Sequence, residues 1–111
     1  MSEYATAWKL PAGLFALLTF AAAVYGEPDG AALVAEKRCV ACHDETEVLL
    51  GPPYRAIAAR HAAQADVMVE VLARKIILGG AGNWGVVPMV PNEHVSEDEA
   101  RAMARWILAL D

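Results

Sequence analysis

Two cysteines and a histidine stand close together in the first half of the chain, in the order Cys39-Val40-Ala41-Cys42-His43. The sequence has 2 cysteines among its 111 residues, so this motif uses both. The pattern C-x-x-C-H is the signature of c-type haem attachment. On a helix, positions i, i+3 and i+4 share a face, so both thiols can bond the haem vinyl groups while the histidine ligates iron. We therefore predict one covalently attached haem c, held through Cys39 and Cys42, with His43 as an iron ligand.

Three other kinds of site also use two cysteines separated by two residues: a structural disulfide, half of a zinc site, and a thioredoxin-like redox pair. A zinc site would need two further ligands at metal spacing, and the remaining histidines, His61 and His94, stand alone on different segments. A thioredoxin-like pair is expected beside a βαβ pattern, and the sequence has no strand-like alternation of useful length. These residues therefore favour haem attachment.

The second iron ligand decides whether the haem can bind a substrate. Met68 and Met103 fall at core spacing in segments of helical periodicity, where a methionine is by default a packing residue. Met89 instead lies in a segment rich in glycine and proline, far along the chain from His43, and its flexible thioether can reach the opposite haem face. Histidine–methionine ligation raises the reduction potential and leaves no vacant position, which suits an electron carrier. The alternative ligands are the histidines, of which His94 would give a lower-potential site.

Apolar residues recur at spacings of three and four beyond the first 26 residues, which predicts helices. These helices must position the ligands. Asp29 is a candidate cap for a first helix that we predict to run into the cysteines. Its expected apolar face consists of Leu33, Val34 and Val40.

Three further helices are expected along the chain. The first covers residues 54–61, and the second covers residues 66–78 and ends at Gly79-Gly80. Ser96 and Glu99 form an S-x-x-E capping box that begins the last helix. The side chains expected to face inward are Val67, Val71, Leu72, Ile76 and Ile77 on the longer middle helix, and Met103, Trp106, Ile107 and Leu110 on the last.

The N-terminal residues have the layout of a secretory signal peptide. Residues 10–25 carry no charge, follow Lys9 and lead into Gly26. We predict a signal peptide over residues 1–26, cleavage near Gly26–Glu27, and a periplasmic domain over residues 27–111. The uncharged stretch is shorter than the roughly 20 residues that a helix needs to cross a bilayer. An uncleaved membrane anchor on the periplasmic face is the alternative, because Glu3 partly offsets the charge of Lys9.

The formal net charge is −5. An acidic domain is repelled by phosphate backbones, so nucleic acid is excluded as a partner.

Several ordered motifs join the haem-attachment signature. They are Gly51-Pro52-Pro53-Tyr54, Lys75-Ile76, Gly79-x-x-Gly82-x-Trp84-Gly85-x-x-Pro88-Met89-x-Pro91-Asn92, and Trp106-Ile107. With these motifs the chain, from Glu36 onward, resembles the short bacterial class I cytochromes c that donate electrons to nitrite reductase and terminal oxidases. The resemblance implies an all-α class I cytochrome c fold, with about four short helices around one haem. It implies a one-electron carrier rather than an enzyme, with no small-molecule substrate.

The resemblance also implies roles for three site residues. The carbonyl of Pro52 would accept a hydrogen bond from the axial imidazole of His43 and so orient it. Trp84 would hydrogen-bond a haem propionate, and Asn92 would contact the sulfur of Met89.

Two positions depart from the pattern of that family. Lys75 stands where its members often carry arginine, so a bidentate propionate contact would become a single ammonium contact. Val90 stands where they often have proline, which predicts a slightly looser segment around Met89.

The implied partners are redox proteins, such as a cytochrome bc1-type donor and a nitrite reductase or terminal oxidase as acceptor. In such folds a haem edge is partly exposed, and docking is weak and of small area. We expect a monomer. The rivals are a membrane-anchored or complex-bound cytochrome subunit and, less favoured, a ligand-binding haem sensor or enzyme. The residues expected around the exposed edge are Val40, Ala41, Gly85, Val86, Val87 and Val90.

Overall fold

The structure, a computed structural model, describes Gly13 and residues 26–111. The predicted signal peptide therefore lies outside the described residues, apart from Gly13 and Gly26. Residues 26–111 contain α1 (Gly30–Glu36), α2 (Tyr54–His61), α3 (Ala65–Leu78) and α4 (Glu97–Leu108). Two short 3-10 turns, Cys39–Ala41 and Ala62–Gln64, accompany them. Within this part of the chain there is no strand beyond an isolated antiparallel bridge between Gly80 and Met89, so the predicted all-α class is confirmed.

Helix α4 forms the centre of the fold, because α1, α2 and α3 all pack against it. Its apolar face agrees with the prediction: Met103 is 0% exposed, Ile107 is buried, and Trp106 and Leu110 pack partly buried against the core. Burial of such side chains supplies the main driving force for folding. The other helices contribute Leu33 and Val34 from α1, Tyr54 and Ile57 from α2, and Ala73 and Ile76 from α3.

The predicted capping box at the start of α4 is confirmed. The Ser96 hydroxyl accepts from the Glu99 backbone N–H at 3.1 Å, and the Glu99 carboxylate accepts from the Ser96 backbone N–H at 3.0 Å. Lys37, at the end of α1, places its ammonium 3.1 Å from the same carboxylate. The Ser96 N–H, with help from Lys37, lowers the pKa of Glu99 below its usual range. The start of α4 is therefore tied to the end of α1.

Gly30 lets α1 and α4 approach each other closely. A Cβ at this position would overlap the Cβ of Trp106 and the backbone carbonyl of Ala102. The first and last helices therefore cross where one of them has no side chain.

Helix α1 does not run into the cysteines, so that prediction was wrong. It ends at Glu36, and Arg38 has a left-handed backbone with φ 66°, after which a separate turn carries the motif. Val40 is exposed rather than part of the apolar face of α1. The break redirects the chain between helix and motif, and helical periodicity in the sequence does not report such a change of direction.

The inward face of α3 also differs from the prediction. Val67 and Val71 are 66% and 54% exposed, whereas Ala73 and Ile76 are buried. Successive helical residues are turned by about 100°, so the two valines lie on the side of α3 away from Ala73 and Ile76. The residues predicted to face inward span a wider part of the surface of α3 than the side that packs against α4.

Among the helices of residues 26–111, none has the length and hydropathy that a membrane-spanning segment requires.

Candidate functional site

The two cysteines lie on the short turn that follows α1. The backbone N–H groups of Cys42 and His43 both donate to the carbonyl of Cys39, at 3.1 and 2.9 Å. Both cysteines are partly buried, and they do not form a disulfide with each other. The turn therefore brings the residues of the C-x-x-C-H motif together although no long helix carries them.

The imidazole of His43 has one nitrogen engaged by the protein. Its Nδ1 lies 2.7 Å from the carbonyl oxygen of Pro52. A carbonyl can only accept, so Nδ1 carries a proton, and Nε2 is the nitrogen whose lone pair the neutral imidazole can offer to a metal. That is the arrangement of a histidine metal ligand whose other ring nitrogen is fixed by a hydrogen bond. The Pro52 contact implied by the family resemblance is present in the structure.

Two neighbours confine the imidazole ring of His43. A Cβ placed on Gly51 would lie 2.5 Å from its Cε1 and 2.8 Å from its Nδ1, so the ring occupies the space that a side chain there would take. Tyr54 stacks on the ring with centroids 5.5 Å apart and planes 22° apart. The Gly51 N–H donates to the carbonyl of Cys42 at 2.8 Å, which closes the connecting loop onto the motif.

Tyr54 packs between His43 and the core. It lies at the start of α2, and its ring meets Trp106 of α4 edge-on at 5.4 Å. Its buried hydroxyl has no hydrogen-bond partner within residues 26–111, and burial raises the pKa of this phenol. The aromatic contacts of Tyr54 thus connect the imidazole of His43 to α4.

Met89 lies in the irregular stretch between α3 and α4, of which residues 79–92 are called the Met89 segment. Gly80 and Met89 exchange two backbone hydrogen bonds, of 2.9 and 2.8 Å. Gly79 ends α3 with φ 66°, and a side chain at that position would overlap the carbonyl of Met89. The half-buried Met89 is therefore fixed against the end of α3 by its backbone.

Asn92 fastens the far end of the same segment. Its backbone N–H donates to the carbonyl of Ile77 at 3.0 Å, and its side-chain amide donates to the carbonyl of Ile76 at 2.8 Å. The amide group that was expected to contact the sulfur of Met89 thus also bonds the last turn of α3. The sulfur contact stays a prediction.

Trp84 lies at the outer part of the segment and is partly exposed. The guanidinium of Arg60 stacks over its ring, with Cζ 3.9 Å from the centroid. The sequence does not indicate this contact, because Arg60 lies on α2, distant in the chain from Trp84, and belongs to none of the motifs. The predicted propionate bond of Trp84 stays a prediction.

The other candidate iron ligands occupy different environments. Met103 fills the core, Met68 is a half-buried residue of α3, His61 is the last residue of α2, and His94 is exposed near the start of α4. Met103 is therefore a packing residue, as predicted.

The donor set and its surroundings fit a covalently bound haem. Two thiols, an imidazole with a free Nε2 and a thioether are the groups that haem c attachment and histidine–methionine ligation require. Exposed apolar side chains also gather on the segments that carry these groups. Large apolar patches mark binding sites, and a haem would cover part of this one and leave the remaining residues at its rim. The exposed apolar side chains are Val40, Val48, Leu49, Leu50, Trp84, Val86, Val87 and Val90.

Comparison with known proteins gives a consistent result. A family model described as cytochrome c matches residues 28–111. Cytochrome c-551 of Azotobacter vinelandii is 44% identical over 79 residues, covering 71% of this chain and 94% of that protein. Cytochrome c-552 of Nitrosomonas europaea is 41% identical over 105 residues, covering 95% and 97% of the two chains. The crystal structure of wild-type Nitrosomonas europaea cytochrome c552 aligns with a TM-score of 0.70 at 42% identity, covering 73% of this chain and 99% of that chain. The residues matched by the family model, 28–111, include the positions of every candidate ligand described above.

The close approach of Gly51 to the imidazole predicts the effect of Gly51→Ala. The added methyl group must displace the ring or the loop, and such overpacking costs about 1–3 kcal/mol. We expect a lower free energy of unfolding of the haem-bearing protein, measured by denaturant titration of its visible absorption. Thr46→Ala, in the same loop but exposed, should change this free energy by less than about 0.5 kcal/mol. Equal stability of the two variants would contradict the confinement of His43.

Proposed function

The chain belongs to the cytochrome c family, and we propose that His43 and Met89 are the two axial ligands of its haem iron. It is a monohaem c-type electron carrier and not an enzyme. One haem c is covalently bound through Cys39 and Cys42.

The observation that carries the proposal is the backbone pairing of Met89 with Gly80. A methionine ligand must be held in place because its bond to iron is weak and a free side chain loses rotamer entropy on binding. Met89 has a backbone fixed by two hydrogen bonds and a flexible side chain. Met103, by contrast, is enclosed in the core. Met89 therefore combines a fixed attachment with the reach that ligation needs.

The haem supplies a one-electron couple when bound, and the protein residues determine its surroundings. His43 offers Nε2 because Pro52 holds the proton on Nδ1. Met89 offers a neutral, soft sulfur that favours the ferrous state. With His43 and Met89 both holding the iron as proposed, an external molecule would have no open position on it, and the bound haem would supply electron transfer without a reaction on a substrate.

Replacement of the proposed sulfur ligand tests this assignment. We expect the ferric wild-type protein to show the weak near-infrared methionine-to-iron band and Met89→Ala to lack it, because the sulfur is gone. The measurement is the visible and near-infrared spectrum of the purified haem-bearing protein in both redox states. Met68→Leu is the matched control and should keep the band.

Two results would contradict histidine–methionine ligation. One is a band that persists in Met89→Ala. The other is a wild-type protein without the band that binds carbon monoxide readily, which would favour a ligand-binding haem sensor or enzyme.

The proposed partners are a cytochrome bc1-type donor and a nitrite reductase or terminal oxidase as acceptor. Support comes from exposed apolar residues on the motif turn and on the Met89 segment, including Val40, Val86 and Val90. Such a surface suits a small, short-lived contact. Stopped-flow mixing with isolated complexes of each class should show electron transfer, and Val86→Glu should slow it without changing the spectrum. Equal rates in the variant would exclude this face as the docking surface.

We also propose that residues 1–26 direct export and are then removed, leaving a periplasmic domain over residues 27–111. The support is the uncharged stretch after Lys9. Expression of the full chain in a host that matures c-type cytochromes should yield a periplasmic protein whose intact mass equals residues 27–111 plus one haem. A membrane-bound product that keeps its N-terminus would instead establish the anchored form.

A further inference from the structure

The outer part of the Met89 segment, residues 81–87, is exposed throughout. Val86 at its tip is 93% exposed, Val87 is also largely exposed, and Trp84 is partly exposed. The backbone N–H of Gly82 donates to the carbonyl of Gly85 at 3.0 Å, which closes a turn within these residues. That bond shapes the tip but does not attach it to any helix.

Arg60 makes the connection between this tip and α2. Its Nη1 donates to the carbonyl of Asn83 at 2.7 Å, while its guanidinium plane covers the adjacent ring of Trp84 at 3.9 Å. Within residues 26–111, the bond to Asn83 is the one hydrogen bond that joins residues 81–87 to a helix. One side chain therefore holds two consecutive residues of the tip.

The segment is thus attached at two levels. Near its ends, backbone pairing with Gly80 holds Met89, and Asn92 bonds the last turn of α3. At the tip, Arg60 of α2 holds Asn83 and Trp84. Exposed segments with few attachments open locally at low free-energy cost. Without the contacts of Arg60, the protein hydrogen bonds that still attach the segment include the Gly80–Met89 pair and those of Asn92.

We propose that Arg60 is a positioning residue that clamps the Met89 segment closed, and thereby keeps Met89 on the iron. The proposal rests on the assignment of Met89 as a ligand made above. Arginine suits this role because its planar guanidinium can stack on an aromatic ring and donate in its own plane at the same time. Lysine keeps the positive charge but has a compact ammonium that lacks this geometry.

The test uses the ferric haem-bearing protein and added imidazole, which binds iron only when the sulfur of Met89 has left. Its apparent affinity therefore reports the fraction of molecules in which the segment is open. The variants are Arg60→Ala, Arg60→Lys and Arg74→Ala. Arg74 is an exposed arginine of α3 that lines the groove towards α4, so its variant controls for the loss of one positive charge.

We expect Arg60→Ala to increase the imidazole affinity about three- to tenfold, as the loss of one cation–π contact and one charge-assisted hydrogen bond implies. Arg60→Lys should also bind imidazole more tightly than the wild-type protein does, because lysine holds the segment less well. The imidazole affinity of Arg74→Ala should match that of the wild-type protein within about twofold. Hydrogen exchange of the Gly80 and Met89 amides should accelerate by a similar factor in Arg60→Ala. Amides of α4 should be unaffected, which separates local opening from global unfolding.

Unchanged imidazole affinity and amide exchange in Arg60→Ala would overturn the clamp. Wild-type behaviour of Arg60→Lys would also overturn it, because charge alone would then suffice. The lysine variant keeps the charge and most of the side chain, so it provides a result even if the alanine variant folds poorly. A wild-type protein without the methionine-to-iron band would instead refute the ligand assignment, and this is visible before any variant is made.

Discussion

The hydrogen bond from His43 Nδ1–H to the carbonyl of Pro52 is the contact on which the rest of the site depends. It places a proton on Nδ1 and would leave Nε2 available for the haem iron in the proposed ligation. The bond requires the loop after the motif to fold back onto His43. Gly51 permits this close approach to the imidazole ring because it has no side chain. Tyr54 then stacks on the imidazole and meets Trp106 of α4. His43, which lies outside the four helices, is thereby connected to α4 through Tyr54.

The second ligand segment is held by a different kind of interaction. Met89 depends on backbone hydrogen bonds to Gly80 and on the amide of Asn92 rather than on aromatic packing. Such attachments fix the chain close to α3 but do not reach the exposed tip, which Arg60 contacts instead. The two sides of the site therefore differ in rigidity, with the histidine side packed into the core and the methionine side bonded along its edge. This difference fits the ligands proposed above, because a thioether bond to iron would be the weaker of the two and the more easily replaced.

The domain is small, and its core is concentrated around α4. Met103, Ala104 and Ile107 are buried there, whereas many apolar side chains of the two ligand segments remain exposed. Small domains bury a lower fraction of their surface and commonly need a covalent or metal staple. A haem bonded to Cys39 and Cys42 is such a staple, and it offers apolar surface to residues that the helices do not cover. Stability and electron transfer thus depend on the same group.

The sequence alone determined the chemistry and most of the helices. The C-x-x-C-H spacing indicates haem attachment because few other sites use those three residues together, and the capping box and the apolar face of α4 depend on contacts within one helix. The tertiary structure decided the rest: the break at Arg38, the exposed side of α3, the position of Asn92 and the contact of Arg60 with Trp84. These features arise between segments distant in the chain, where neither periodicity nor spacing carries information. Local patterns record which groups are present, and only the packing of the helices determines which of them meet.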